Sequence, residues 1–261
     1  MSNWSEAMEE YLTAMNAANR GKGTIRLHRH KLDGLARRHP DPWAVTLRDL
    51  RSMLANDRWA PETRKSSRTV YRGFYRWAHG MGYMETWIGE HLETIRVPEA
   101  APRPAPELVI QRLLKTADRR TCFMAMLGAY AGLRASEIAK VHETDFDGYR
   151  LLVHGKGGKE RLLPIRHPGL LKYLQEVRGY AFPGPNGPMT PGHVTKLLSR
   201  ALDGHWTAHT LRHRAATKAH DGTHDIFAVS KMLGHSRVET TQRYVFVGED
   251  AIAAALDAAA A

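Results

Sequence analysis

Apolar residues recur at three- and four-residue intervals through most of the first 97 positions, the spacing of helices that bury one face. Met8, Leu12 and Met15 form one such stripe. Asn3 stands before it with Glu6 three residues on, the pairing of a capping box. Gly21 and Gly23 break this helix, and Thr24 starts a basic one that ends near His39-Pro40. Thr46 and Asp49 repeat the start signal ahead of Leu47, Leu50, Met53 and Leu54. Past Pro61 a long helix to about Gly80 carries Tyr71, Phe74, Tyr75 and Trp77 at helical spacing. Four short helices with little else predict a small bundle with these aromatics in its core.

The pattern then changes. Pro98, Pro102, Pro104 and Pro106 fall within nine residues, so residues 98–106 are neither helix nor central strand and form a stiff linker. Beyond it, helical periodicity runs over 107–117 and 119–131 and resumes near Leu133. Residues 149–154 and 159–165 are strand-like and flank Gly155-Lys156-Gly157-Gly158, which predicts a β-hairpin with a glycine-rich turn. Helix follows again, with 183–191 as a loop. The alanine-rich end, 251–261, carries Ile252 and Leu256 four apart and reads as a short tail helix. The expected fold is mainly α with a small β-sheet: a helical domain over 1–97, the linker 98–106, and a mixed α/β domain over 107–261.

Charge narrows the partner. The 261-residue chain is formally +11, with a pI near 9.9. Residues 20–76 hold fifteen Lys/Arg and five Asp/Glu, so positive charge is concentrated in the middle of the helical domain. That favours a polyanion, nucleic acid before anionic membrane; a solvated helix face is the plainer alternative. Arg64, Lys65, Arg68 and Arg72 on the long helix, with Lys159 of the glycine turn, are the candidate DNA contacts. No apolar stretch approaches the roughly 20 residues of a membrane span, and the N-terminus has no signal-peptide core. A cytoplasmic protein is expected. Cys122 is the single cysteine and lies in an apolar run, as an inert buried thiol does.

Candidate chemistry collects in the second domain. Arg134 and Glu137 are three residues apart in Gly132-Leu133-Arg134-Ala135-Ser136-Glu137, where a carboxylate can aim a guanidinium at a phosphate or simply pair on the surface. His209 and Arg212 share the same spacing, followed by His213 and Arg214. Zinc binding by His209 and His213 is disfavoured, because Thr210 stands where a metalloprotease helix has glutamate and no further ligands accompany them. Lys156 lies in a turn between strands rather than before a helix, which disfavours a nucleotide-binding loop. His235 follows in Leu233-Gly234-His235-Ser236, and Tyr244 in Thr240-Thr241-Gln242-Arg243-Tyr244. Two arginines, a lysine and two histidines can surround a phosphate and move its protons; a tyrosine can attack it. Phenol ionises near about 10, and clustered cations lower that value. No cofactor or metal is implied.

Taken in order, these motifs resemble the tyrosine recombinase family, the phage integrases and Xer-like enzymes, across essentially the whole chain. The resemblance implies that Tyr244 attacks a scissile phosphate and forms a 3′-phosphotyrosyl link. Arg134 and Arg212 would stabilise the transition state and Lys156 would protonate the departing 5′-oxygen. His209 would handle the tyrosine's proton, His235 would bond a nonbridging oxygen, and Glu137 would support the arginines. It also implies double-stranded core recombination sites as partner, a homotetramer on two sites, a Holliday junction intermediate, and no ATP. Ala208 departs from the proline usual before this histidine, a change at a helix start rather than in the chemistry. Only about 97 residues precede the linker, which suggests a compact form lacking an arm-binding domain. Type IB topoisomerase-like relaxation and a non-cleaving DNA-binding regulator are the alternatives. The target sequence, accessory proteins, and the choice among integration, excision and dimer resolution are not legible.

Overall fold

The protein is represented by a computed structural model that describes residues 3–98 and 101–234. Its backbone divides into two units, Met1–Glu99 and Ala100–Ala261.

In the first unit four helices form the bundle: α1 (Trp4–Ala17), α2 (Lys22–Ala36), α3 (Leu47–Leu54) and α4 (Pro61–Gly80). Both capping boxes are present. Asn3 accepts from the Glu6 N–H at 3.1 Å and Glu6 accepts in return at 3.2 Å; Thr46 and Asp49 repeat the exchange. Helix α2 departs from the expected bounds, starting at Lys22 rather than Thr24 and stopping at Ala36. Gly21 is its cap and Gly23 sits in the first turn, where N–H groups lack intrahelical acceptors and glycine costs little. Phe74 is fully buried at the centre of the core, stacked on Trp4 and Trp43 and edge-on to Tyr11 and Tyr75.

Helicity does not continue after α4. Residues 85–92 instead form a strap against its basic face. Arg68 donates to the Leu92 carbonyl at 2.6 and 3.2 Å. Trp87 donates to the Arg72 carbonyl and lies under the guanidinium groups of Arg72 and Arg76. Arg64 bonds the Trp59 carbonyl at 3.0 Å. Of the four candidate DNA contacts on α4, Lys65 is exposed, whereas Arg64, Arg68 and Arg72 are half-buried and already hold the fold.

The second unit is built round α6 (Arg119–Ala129), whose residues from Thr121 onward are all buried. Such a run, apolar on every side, requires cover all round. It packs against α5 (Glu107–Thr116), α8 (Pro168–Gln175), α9 (Pro191–Ala201) and α10 (Ala208–Thr223). The short α7 (Ala135–Ile138) and α11 (Ile226–Leu233) complete the α-helices among the described residues. The expected hairpin is present as antiparallel β1 (Arg150–His154) and β2 (Glu160–Pro164), with His154 opposite Glu160. Within the expected loop, β3 (Pro183–Gly184) pairs with β4 (Gly187–Pro188). Pro183 and Pro188 face each other at one end of this ladder and leave it with few donors, so it carries no alternating strand pattern. The fold class is the expected one, mainly helical with a small antiparallel sheet. Among the described residues no helix is long and apolar enough to cross a membrane. The tail helix expected over 251–261 lies outside the described residues.

One contact pins the hairpin. His154 ends β1 with Nε2 2.8 Å from Asp145 and Nδ1 2.8 Å from Glu160. These hydrogen bonds raise its pKa against the opposing effect of burial, the Asp145 bond most. A raised imidazole stabilises the fold fully below its unfolded value, near about 6.5, and loses that contribution as pH climbs through the folded value. The stability difference between the wild type and His154→Gln should therefore be largest in mild acid and shrink in alkali. Urea titrations at several pH values measure it; a difference that widens with pH would contradict this account.

Candidate active site

The site begins where α6 stops. Gly132 adopts φ +67°, and a Cβ there would stand 2.8 Å from Leu233 Cδ2, so only glycine makes this turn without strain. Two residues later Arg134 caps α7 and Glu137 is its third helical residue. Arg134 is thus not a helical neighbour of Glu137, as the three-residue spacing had suggested. It is the cap, and Glu137 reaches back to accept from its backbone N–H at 3.0 Å as well as from Nη1 at 2.8 Å. The same spacing serves both arrangements.

Glu137 is a hub. It is 2% exposed. Arg161 of β2 grips it with both terminal nitrogens, Nη1 to Oε1 at 3.2 Å and Nη2 to Oε2 at 2.9 Å. Arg212 of α10, 1% exposed, brings Nη1 within 3.7 Å of Oε2. One carboxylate therefore sits among three guanidinium groups. Burial alone would raise its pKa, but hydrogen bonds from Arg161 and Arg134 hold it below the ordinary value, the outcome expected of a multiply bonded carboxylate. Arg134 remains partly open, with a side-chain exposure of 36%.

The same arginines grip the end of α11. Arg212 Nη2 donates to the Leu233 carbonyl at 2.7 Å and Arg134 Nη1 at 3.4 Å. Arg161 Nε donates to Met232 at 2.8 Å, and Arg212 Nη1 to Gly132 at 2.5 Å. Carbonyls at a helix C-terminus lack intrahelical donors and carry partial negative charge, so cations are favoured there. Gly234 closes the helix with φ +67°, and a Cβ there would lie 2.9 Å from Arg161 Nη1. A glycine satisfies both the turn and the packed guanidinium.

His209 is the second residue of α10, whose N-cap Thr207 exchanges hydrogen bonds with Thr210 around Ala208. Desolvation on its protein side, then the charges of Arg212 and Arg134, lower its pKa, although the residue is exposed on its other side. Its ring meets His213 edge-on at 4.5 Å. Among the described residues no group of three His, Cys, Asp or Glu side chains could hold a metal. Arg214 bonds Glu107 and the Ala129 carbonyl and lies over the Tyr130 ring, so it is engaged by the fold.

Lys156 and Lys159 are exposed at the hairpin tip, which the Gly155 N–H closes onto the Lys159 carbonyl at 2.7 Å. A Cβ on Gly155 would stand 3.8 Å from Glu137 Oε1, so Lys156 starts one residue from the hub. The structure thus brings together Arg134, Glu137 and Arg212, sets His209 within their field, and seats the Lys156 hairpin beside them. His235 and Tyr244 lie outside the described residues. Arg161 was not among the residues expected here; it stands two positions past Lys159, and no neighbour in the chain distinguishes the two.

The profile described as the Phage integrase family matches residues 106–249. This chain belongs to the phage integrase family. Among integrase-family relatives, the tyrosine recombinase XerA of Pyrococcus horikoshii is 27% identical, with 93% of this chain and 90% of that protein covered. The tyrosine recombinase XerD of Caulobacter vibrioides is 31% identical over 74% of this chain and 73% of its own length. The fold of this integrase-family chain is shared with a lambda integrase tetramer bound to a Holliday junction, at TM-score 0.74 and 17% identity, covering 91% of this chain and 78% of that one.

Proposed function

We propose that this protein is a site-specific DNA recombinase of the tyrosine class, which breaks and rejoins DNA strands without ATP. The observation that carries the reading is the gathering of Arg134, Arg161 and Arg212 round one carboxylate, beside a lysine-tipped hairpin and a histidine whose pKa is lowered by burial and the neighbouring arginines. Three positive charges against one leave a surplus suited to the developing charge of a phosphoryl transition state. Double-stranded DNA is the partner, and the +10 balance of residues 20–76 favours phosphate contacts by the helical unit. The names of the relatives favour recombination over relaxation, and the Holliday-junction tetramer of lambda integrase supports assembly of four protomers on two sites.

In the proposed reaction Tyr244 Oη attacks the scissile phosphorus and its proton passes to His209, whose pKa burial and the neighbouring arginines lower, favouring the neutral ring that can accept it. The new Oη–P bond forms as the P–O5′ bond breaks, and Lys156 gives a proton to the departing 5′-oxygen. Arg134 and Arg212 bind the nonbridging oxygens, with His235 as a further donor. The 3′-phosphotyrosyl link stores the bond, so a 5′-hydroxyl from another strand reverses the step. Cleavage of a nicked duplex should leave a covalent protein–DNA adduct even in excess EDTA, because arginines supply the charge stabilisation. Denaturing gels read it. Tight binding without adduct would point to a regulator, and relaxation without strand exchange between two sites to a topoisomerase.

A further inference from the structure

We propose that Arg161 is a positioning residue that sets Lys156 for protonation of the leaving oxygen. This rests on the recombinase reading above. Arg161 stands on β2 opposite Val153 and its side chain is 12% exposed. All three guanidinium nitrogens are occupied: Nε on the Met232 carbonyl, Nη1 and Nη2 on the two oxygens of Glu137. Three of its five N–H groups are so committed, one on each nitrogen, and the side chain is mostly covered, so it acts on the reaction chiefly through what it holds.

What it holds is the hairpin. The open end of β1 and β2 is fastened by the Ile165 N–H to the Tyr149 carbonyl and by the pairing of Phe146 with Leu151. Near the tip, β1 has the His154 contact to Asp145, whereas β2 reaches the arginine hub through Arg161. A Cβ on Gly155 would stand 3.8 Å from Glu137 Oε1, so the tip sits against the same carboxylate. Removing Arg161 leaves Lys156 on a flexible turn whose second strand is no longer tied to Glu137. It also leaves Glu137 to Arg134 and Arg212 alone. Lysine cannot replace it, since one ammonium does not span three acceptors arranged as a planar fork.

The experiment compares cleavage of a normal phosphodiester with a 5′-bridging phosphorothiolate, whose sulfur departs without a proton. Wild type, Lys156→Ala, Arg161→Ala and Arg161→Lys are assayed, with folding checked by circular dichroism and affinity by filter binding. A misplaced general acid costs on the order of 10- to 100-fold. Both Arg161 variants should lose that much on the oxygen ester, bind DNA within about twofold of wild type, and recover on the sulfur ester. The ratio of sulfur to oxygen rates therefore rises. A purely structural lesion lowers the active fraction for both substrates and leaves the ratio unchanged; that result in either folded variant overturns the proposal. Should Arg161→Ala fail to fold, Arg161→Lys decides alone. If sulfur does not rescue Lys156→Ala, the leaving-group role of Lys156 falls and this proposal with it. If it rescues Lys156→Ala but neither Arg161 variant, only the Arg161 assignment falls.

Discussion

Tyr244→Phe should abolish covalent capture of a nicked recombination site while leaving the affinity for that site within about twofold of wild type. The substitution deletes one oxygen and almost no volume, so packing and charge are preserved. Without a nucleophile no phosphotyrosyl bond can form, and the rate should fall by more than about 10⁴-fold, or at least ~5.5 kcal/mol of activation free energy. Gel-shift titration and denaturing electrophoresis on the same samples separate the two quantities. An adduct that persists in the variant assigns the nucleophile elsewhere.

Glu137→Leu should strongly destabilise the second unit. Glu137 is buried among Arg134, Arg161 and Arg212. Removing one member of a buried ionic cluster and leaving the others costs about 3–5 kcal/mol. Amide exchange across α6, read by mass spectrometry in increasing urea, reports this unit without interference from the bundle. A loss below about 1 kcal/mol would mean that the arginines stand without their carboxylate. Acid should imitate the mutation. Because the folded carboxyl lies below its ordinary value, its contribution is complete above the unfolded pKa and disappears as pH falls through the folded one. Glu137→Gln, which keeps the shape, should remove that acid-sensitive part of the stability curve.

Local features were the legible ones. The capping pairs Asn3–Glu6 and Thr46–Asp49, the aromatic stripe of α4 and the glycine turn of the hairpin each depend on neighbours a few residues away, and each is present in the fold. Arg134 and Glu137 were legible as a pair but not as an element, because a capping box and a helical i,i+3 contact share one spacing. Arg161 was hidden for the opposite reason. Its partners are 24 and 71 residues distant, and nothing beside it in the chain sets it apart from Lys159, which is exposed at the tip. Likewise, the row Arg64, Arg68 and Arg72 reads as a cationic helix face until the strap carrying Trp87 and Leu92 is folded over it.

The arginines gripping the end of α11 have a consequence for the timing of disorder and order. A free arginine side chain carries about 2 kcal/mol of rotamer entropy. In Arg134, Arg161 and Arg212 much of that freedom is already lost on folding, through the bonds to Glu137 and to the carbonyls of Gly132, Met232 and Leu233. Encounter with DNA therefore does not have to freeze these long side chains one by one, and the surplus of positive charge meets the phosphate in a fixed arrangement.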